Sequence, residues 1–208
     1  MMSTSEELPD WLNVSRETLE GMRGFCRLVE KWNPAINLVS KAGLAGLWKR
    51  HVLDSAQMFL IAPPEAKLWC DLGSGGGFPG LVIAILAKHE LPNLDVVLVE
   101  SDRRKAVFLS EVARLMKLRV RVHVERIEDL EPQNADVLSA RALAPLTTLC
   151  GFACRHMKPD GVAMFPKGIS ATEEILESRQ SWAFDLTQHT SRTETGATVL
   201  LLRGIHHV

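Results

Sequence analysis

Apolar positions recur at steps of three and four along the first third of the chain, which is the spacing of amphipathic helices. The pattern runs from residue 14 to residue 61 and ends at Pro63 and Pro64, which cannot continue a helix. We therefore predict a helical extension over residues 1–64 that packs on a core formed by residues 65–208. The apolar positions fall into two runs: Leu19, Met22, Phe25, Val29 and Trp32, then Leu44, Leu47, Trp48, Val52 and Phe59.

Beyond Pro64 the pattern changes to short apolar runs that alternate with longer helical stretches. Strands are predicted at residues 67–72, 95–100, 120–124, 136–140 and 161–166, and helices at 80–88, 103–118 and 145–157. Such alternation is typical of a parallel sheet with crossover helices on both faces. Two further strands, 182–186 and 197–202, fit an antiparallel pair at one edge. The predicted fold class is α/β, with a mostly parallel seven-stranded sheet.

Composition limits the class of protein. The chain has 208 residues, of which 46% are hydrophobic and 24% charged, which is enough to bury a full core. No Cys-x-x-Cys pair occurs, so we expect reduced, buried cysteines and no metal site. No basic leader precedes an apolar run and no window is long enough to span a membrane, so a cytoplasmic protein is expected. The cysteines are Cys26, Cys70, Cys150 and Cys154.

The net charge of −1 argues against uniform coating by nucleic acid, but the charge is unevenly distributed. Residues 101–126 carry eight lysines and arginines against three acidic residues. Such a segment is either a solvated helix face or a phosphate-binding face, and charge alone favours neither. The basic residues are Arg103, Arg104, Lys105, Arg114, Lys117, Arg119, Arg121 and Arg126.

The segment DLGSGGGFPG, residues 71–80, directly follows the first predicted strand of the core. In doubly wound sheets a glycine loop at this place lets the backbone approach a nucleotide-like ligand. The stretch from Gly75 to Gly80 satisfies the dinucleotide pattern G-x-G-x-x-G, and Glu100 lies 20 residues past Gly80, where a ribose-binding acid belongs. A nicotinamide-dependent oxidoreductase is therefore one interpretation.

Two neighbouring features favour a different ligand. The carboxylate of Asp71 would repel a pyrophosphate, and Pro79 removes a backbone N–H that could bind one. A cationic, adenosine-containing ligand without phosphate, S-adenosylmethionine, suits both features.

The acid-then-glycine segment, together with Glu100 at the end of the second core strand, resembles motifs one and two of the Rossmann-like class I methyltransferases. This resemblance implies that Glu100 accepts hydrogen bonds from the ribose hydroxyls, an arrangement that suits a charged acceptor. It also implies roles for five further residues: Gly73, Gly75 and Gly77 pack against the cofactor, and Ile127 and Glu128 meet the adenine.

Two motifs that are missing from the sequence limit which atom can accept the methyl group. Residues 139–142 read SARA where methyltransferases of exocyclic amines resemble one another in an Asn/Asp-Pro-Pro-aromatic motif, and no cysteine follows a proline as in the cytosine-C5 enzymes. A guanine N7 carries a free lone pair, so positioning for an in-line displacement suffices and no general base is required. We therefore assign no catalytic side chain.

Six blocks over residues 31–168 match one family in order. They are KWNPAINLVS, RHVLDS, DLGSGGGFPG, VESDRRKAVFL, ARALAPL and FPKG. On these blocks the chain resembles the RsmG family, also called GidB, of bacterial 16S ribosomal RNA guanine-N7 methyltransferases. The resemblance implies that a monomeric enzyme transfers a methyl group from S-adenosylmethionine to N7 of a specific guanosine in 16S rRNA of the small ribosomal subunit.

The same resemblance implies two groups of site residues. Gly73, Phe78, Ile127, Glu128 and Arg141 would line the cofactor pocket, and His51, Asp54 and Lys167 would lie near the substrate.

These assignments have structural alternatives. His51 and Asp54 could pair with each other to hold the helices on the core, Arg141 could serve an ion pair, and Lys167 could be a mobile solvated charge. If RNA binds, the basic segment that begins with Arg103 and Arg104 would form its electrostatic footprint. A catalytically idle RNA-binding assembly factor is the third interpretation of the chain.

Overall fold

The N-terminal helices cover one face of the molecule. The computed structural model describes residues 7–208, in which the extension forms α1 (Arg16–Ile36), α2 (Lys41–Ala45), a π-helical segment (Leu47–Leu53) and α3 (Asp54–Ile61). Ser15 caps α1, since its Oγ accepts a hydrogen bond from the Thr18 N–H at 3.1 Å. The predicted helical extension is confirmed, although residues 1–6 of it lie outside the described residues.

The π-helical segment follows from the spacing of its apolar residues. Its buried side chains are Leu47, Trp48, Val52 and Leu53, which form two pairs whose members are five residues apart. Hydrogen bonds from residue i to i+5 widen the turn and bring residues at that spacing to one face. The sequence pattern over this stretch indicated an ordinary helix, and the structure refines that prediction.

The remaining chain forms one sheet with helices on both sides. Its strands are β1 (Leu68–Leu72), β2 (Asp95–Val99), β3 (Val120–His123), β4 (Ala135–Ala140), β5 (Met157–Lys167), β6 (Trp182–Thr190) and β7 (Thr198–His207). Its helices are α4 (Gly80–Glu90), α5 (Arg103–Met116), α6 (Leu146–His156) and α7 (Ala171–Ser178). The strand order is β3-β2-β1-β4-β5-β7-β6, in which β7 runs antiparallel to β5 and β6 and the other pairs are parallel. The predicted α/β class and seven-stranded sheet are confirmed.

Two buried clusters fill the two faces of the sheet. One includes Phe25 of α1 and Phe108 of α5, because α1 packs on α4 and α5 while α3 packs on α4. The other lies beneath α6 and includes Leu149 and Phe165. The extension therefore shares a core with the sheet through α4 and α5. The division of the chain between residues 64 and 65 stays a prediction.

Several details differ from the sequence predictions. Helix α7 was not predicted, because only Ala171, Ile175 and Ser178 of its eight residues are buried and the rest of the segment is polar or exposed. Strands β6 and β7 continue beyond their predicted ends to Thr190 and His207.

The cysteine prediction is confirmed for Cys26, Cys70 and Cys150, which are buried, and is wrong for Cys154, which is exposed on α6. Within residues 7–208 no helix is long and apolar enough to cross a membrane. The same residues contain no group of three or more His, Cys, Asp or Glu side chains that could hold a metal ion.

Candidate functional site

The glycine loop lies at the carboxyl ends of β1, β2 and β4, where a doubly wound sheet binds its ligand. Gly73, Gly75 and Gly77 all have positive φ angles, of 64°, 54° and 91°, which glycine adopts without strain. A Cβ on Gly73 would lie 2.6 Å from Leu143 Cδ1, and one on Gly77 would lie 2.5 Å from Leu81 Cδ1. The loop can therefore follow this path only with bare backbone at both positions.

Asp71 holds the loop from behind. Its side chain is fully buried, where Oδ1 accepts a hydrogen bond from Ser139 Oγ at 2.7 Å and Oδ2 accepts one from the Gly80 N–H at 3.2 Å. Burial raises the pKa of this carboxyl to about 6. The expectation that its charge would face a cationic ligand is therefore wrong: the side chain turns into the core and fixes the start of α4.

A small cavity of about 450 Å³ opens between the glycine loop and the segment after β3. It is lined by Gly73, Gly75, Glu100, Ile127 and Glu128, which were all predicted to contact the cofactor. Because these residues follow different strands of one parallel sheet, their convergence is a consequence of the topology. Val99, Thr148 and Phe152 also line this cavity and carried no signal in the sequence.

Glu100 is the central acid of the small cavity. Its Oε2 accepts a hydrogen bond from the Gly75 N–H at 2.7 Å, and its Oε1 accepts one from the Asp102 N–H at 2.8 Å. A carboxylate has about four acceptor positions, so both oxygens retain room for ribose hydroxyls. The glycine loop is open at Gly75, since a Cβ there would meet only Gly73 O, at 3.8 Å. The carboxylate, the bare backbone and the buried side chain of Ile127 fit the ribose and adenine of S-adenosylmethionine.

A large cavity of about 1030 Å³ adjoins the small one. It is lined by Phe78 and Arg141, which were predicted for the cofactor pocket, and by His51, Asp54 and Lys167, which were predicted for the substrate side. Gly73, Gly75, Lys105, Leu143 and Ala144 line both cavities, so the two spaces meet at the glycine loop. Gly77, Arg103 and Arg104 line neither of the two.

Arg141 and Asp54 join the extension to the end of β4. Arg141 Nη1 lies 3.7 Å from Asp54 Oδ2 and donates a hydrogen bond to Arg50 O at 3.1 Å. The guanidinium also lies over the Phe78 ring, 5.4 Å from its centroid. Burial lowers the pKa of Arg141, and the carboxylate of Asp54 opposes that shift. Arg141 therefore both lines the large cavity and makes the ion pair given above as its structural alternative.

Asp54 does not make the pair with His51 that helical spacing suggested. Its Oδ1 accepts hydrogen bonds from Thr193 Oγ1 at 2.7 Å and from Gln57 Nε2 at 2.8 Å. The Thr193 contact joins α3 to the loop between β6 and β7, whereas the Gln57 contact stays within α3.

His51 is a neutral side chain of the cavity wall. Its ring lies 5.1 Å from the Phe78 ring, and both ring nitrogens are buried without a hydrogen-bond partner among the described residues. Burial, and then the charges of Arg141 and Arg50, lower the pKa of His51 to about 4. An imidazole in this state carries no positive charge near neutral pH.

Lys167 is held in place, so the alternative of a mobile solvated charge is wrong. Its side chain is 11% exposed, and Nζ donates to Glu174 Oε2 at 2.7 Å and to Ala144 O at 3.2 Å. Glu174 belongs to α7, the helix that the sequence pattern missed, so this anchor could not be predicted.

Two loops complete the large cavity, and sequence reasoning missed both. Leu38 and its neighbours between α1 and α2 approach the glycine loop, since a Cβ on Gly76 would lie 3.0 Å from Leu38 O. Ser191, Glu194 and Ala197 line the cavity from the loop between β6 and β7, residues 191–197, which we call the hairpin tip. The polar sequence of the hairpin tip predicts a turn but nothing about its location.

The basic residues of the predicted RNA footprint are divided between the two ends of the strands. Arg103 and Arg104 begin α5 at the carboxyl ends of the strands, beside the glycine loop. Arg119 lies at the amino ends, where it pairs with Asp95 at 2.8 Å. The 14 residues of α5 separate the two groups by about 20 Å. Arg126 of the same segment lines the small cavity, so only part of the segment lies near the cavities, and RNA contact by the whole segment 101–126 stays a prediction.

The fold and site together define a class I, S-adenosylmethionine-dependent methyltransferase. Solved structures with this fold include a TehB-like SAM-dependent methyltransferase from Corynebacterium glutamicum, with a TM-score of 0.56 and 12% identity, covering 87% of this chain and 98% of that one. M. jannaschii TYW2 in complex with AdoMet has a TM-score of 0.55 and 16% identity, covering 78% of each chain.

The particular family follows from closer relatives. Residues 18–201 match the model of the family described as GidB, rRNA small subunit methyltransferase G. Ribosomal RNA small subunit methyltransferase G of Ruegeria pomeroyi is 52% identical over 197 residues, covering 95% of this chain and 96% of that protein. The chain belongs to this family.

Family membership confirms the predicted enzyme, an S-adenosylmethionine-dependent 16S rRNA (guanine-N7)-methyltransferase. The comparisons give no support to a nicotinamide-dependent oxidoreductase or to an idle assembly factor.

Proposed function

We propose that the protein methylates N7 of one guanosine of 16S rRNA within the small ribosomal subunit, as a cytoplasmic monomer. The small cavity would hold the adenosine part of S-adenosylmethionine, and the large cavity would receive the guanine. The observation that carries this proposal is the shared wall of the two cavities at Gly73 and Gly75. Two ligands in adjoining cavities can approach each other only at this wall.

On the cofactor side, Glu100 would accept hydrogen bonds from the ribose while it keeps the Gly75 N–H. Ile127 would pack on the adenine, and the Glu128 segment would border it. The positive charge of Arg141, at the wall of the large cavity, suits the methionine carboxylate. S-adenosylmethionine, when bound, supplies a methyl group on a positively charged sulfur.

On the substrate side, the residues position the base and take no proton. Guanine N7 has a lone pair and needs no general base. The side chains available agree with this role: His51 is neutral and packs against Phe78, and Asp54 is held by Arg141, Gln57 and Thr193. Their contribution would be a fixed wall, since a small displacement of the base lowers the rate of an in-line transfer strongly.

The charge distribution supports a folded particle as the substrate. The net charge is −1, and the basic residues of the segment 101–126 are divided between the two ends of the strands. An enzyme whose net charge is close to zero gains little overall electrostatic affinity from free RNA. We expect small subunits to be methylated faster than naked 16S rRNA, and equal rates would contradict this part of the proposal.

The cofactor assignment is tested by calorimetric titration of S-adenosylmethionine into purified protein. Glu100→Gln should weaken binding by about tenfold or more, because a hydrogen bond to a charged acceptor is worth roughly 1.5–3 kcal/mol. Glu111→Gln is the matched control, since Glu111 lies on α5 and pairs with Arg114 outside both cavities. Unchanged binding by Glu100→Gln would contradict the assignment.

A second variant separates the enzyme from an RNA-binding factor. Arg141→Ala should abolish methyl transfer while binding to small subunits persists. Loss of subunit binding with full methyl transfer to the bound fraction would contradict this role for Arg141.

A further inference from the structure

Ile169 is an apolar side chain beside the large cavity: it does not itself line the cavity, but it directly follows Lys167 and Gly168, which do, and we call this border the mouth. It is 90% exposed, more than any other large apolar side chain in residues 7–208. A single exposed apolar residue is ordinary on a protein surface, so its exposure alone indicates nothing. Its place directly after two cavity-lining residues distinguishes it.

The turn that carries Ile169 is fixed on both sides. The Ala171 N–H donates to Gly168 O at 3.1 Å, and Ser170 Oγ donates to Glu174 Oε1 at 3.2 Å. Glu174 also receives Lys167 Nζ at 2.7 Å. A β-branched side chain has few χ1 rotamers, which limits the directions in which Ile169 can present its methyl groups. Little conformational entropy remains to be lost when a partner packs against it.

The space beside Ile169 is open toward the cavity and bounded by the hairpin tip. A Cβ on Gly168 would meet no atom of residues 7–208 within 4 Å, whereas one on Gly196 would lie 3.2 Å from Ile169 Cγ2. The mouth therefore has an apolar contact between Ile169 and the hairpin tip, next to an unfilled gap. A flat apolar face of a partner could enter that gap without displacing a side chain.

We propose that Ile169 packs on the face of the nucleobase next to the target guanosine in the substrate RNA. This inference rests on the proposed function. When the guanine enters the cavity it loses stacking with its neighbour, whose face is then exposed to water. In other nucleic-acid complexes, apolar side chains insert as wedges against unstacked bases. Ile169 replaces part of the lost stacking and lowers the cost of presenting the guanine.

Leu176 provides a matched control. It is 65% exposed and belongs to α7, like the cavity-lining residues Glu174 and Glu177. Glu174 and Glu177 are one turn apart, and Leu176 lies between them in sequence, so its side chain leaves the helix on a different face. Truncation of Leu176 removes a comparable apolar surface that lies away from the mouth.

The test measures kcat/KM for 7-methylguanosine formation on small subunits that lack the modification. Ile169→Ala should lower kcat/KM about fivefold through the loss of apolar contact. Ile169→Leu should restore most of it, and Leu176→Ala should equal the wild-type protein. Affinity for S-adenosylmethionine and thermal stability should be unchanged in all three variants, since both side chains are exposed.

The outcomes separate this inference from the proposed function. Wild-type kinetics for Ile169→Ala, or an equal loss for Leu176→Ala, would overturn the wedge while the enzyme remains active. Weakened cofactor binding in Ile169→Ala would also overturn it, because the side chain would then act through the cofactor site. If the wild-type protein makes no 7-methylguanosine, the proposed function fails and the inference with it.

Discussion

At the scale of single residues, the glycines after β1 serve two different purposes. A Cβ on Gly80 would lie 2.3 Å from Leu98 Cδ2 and 2.8 Å from Asp71 Oδ2, inside the core. A Cβ on Gly75 would meet only backbone, at 3.8 Å, and would occupy the small cavity. Gly80 is therefore needed for packing and Gly75 for ligand access, although the sequence pattern G-x-G-x-x-G treats both alike.

We predict that Gly80→Ala destabilises the protein by about 1–3 kcal/mol, because the methyl group has no space beside Leu98 and Asp71. Gly168→Ala, at a position with nothing within 4 Å, is the control and should change stability much less. Chemical denaturation at neutral pH measures both. Equal stability of the two variants would show that α4 shifts to accommodate the methyl group.

A second residue-scale prediction concerns the pH dependence of stability. The pKa of His51 is lowered in the folded protein to about 4 from an ordinary 6.5, so the unfolded chain binds the proton more tightly. The neutral ring therefore contributes stability above pH 6.5 that is lost as the pH falls toward 4.

The variant His51→Phe keeps a ring beside Phe78 but has no titrating group. The melting temperature of the wild-type protein should fall relative to that of His51→Phe as the pH is lowered through this window. A constant difference between the two proteins from pH 7 to pH 4 would contradict a buried neutral imidazole.

The same scale shows what the sequence could predict about the site. Glu100, Ile127 and Glu128 were predictable because each follows a strand whose carboxyl end must lie beside the glycine loop. Asp71 was misjudged because its strand position does not show which way the side chain turns. Its burial depends on Ser139, a residue 68 positions away in sequence.

At the scale of elements, Gln57 of α3 holds the hairpin tip over the large cavity. Its Oε1 accepts a hydrogen bond from the Arg192 N–H at 2.9 Å, and its Nε2 donates to Ser191 Oγ at 3.2 Å. Gln57 is 4% exposed, so its amide groups depend on these partners. This contact joins positions 135 apart in sequence, and no local pattern could have predicted it.

We predict that Gln57→Leu frees the hairpin tip. Hydrogen exchange at residues 191–197 should become at least about fivefold faster, because the loss of buried hydrogen bonds costs roughly 1–3 kcal/mol. The KM for small subunits should rise while affinity for S-adenosylmethionine is retained, since Gln57 does not line the small cavity. Gln188→Leu, an exposed position on β6, is the control. Unchanged exchange in the hairpin tip would contradict this role.

At the scale of the whole molecule, the direction of α5 across the sheet separates charges that are neighbours in the sequence. Arg103 lies at the carboxyl ends of the strands, where the cavities are, and Arg119 lies at the amino ends, where it pairs with Asp95. The sequence predicted the sheet and its strand types, but the direction of α5 across the sheet decides which basic residues can face RNA.

Salt dependence tests this division. A residue that neutralises one phosphate contributes about 0.7–0.9 to the slope of log affinity against log salt. Arg103→Gln should reduce the slope for small-subunit binding by about that amount, and Arg119→Gln should leave it unchanged. Equal effects of both variants on the slope would instead support a single RNA-binding face that includes both residues.

The identity of the methylated product tests the proposed function most directly. The protein is incubated with labelled S-adenosylmethionine and small subunits that lack the modification, and the digested RNA is analysed by mass. We expect one 7-methylguanosine per 16S rRNA. Transfer to a different nucleoside, or no transfer although the cofactor binds, would contradict it.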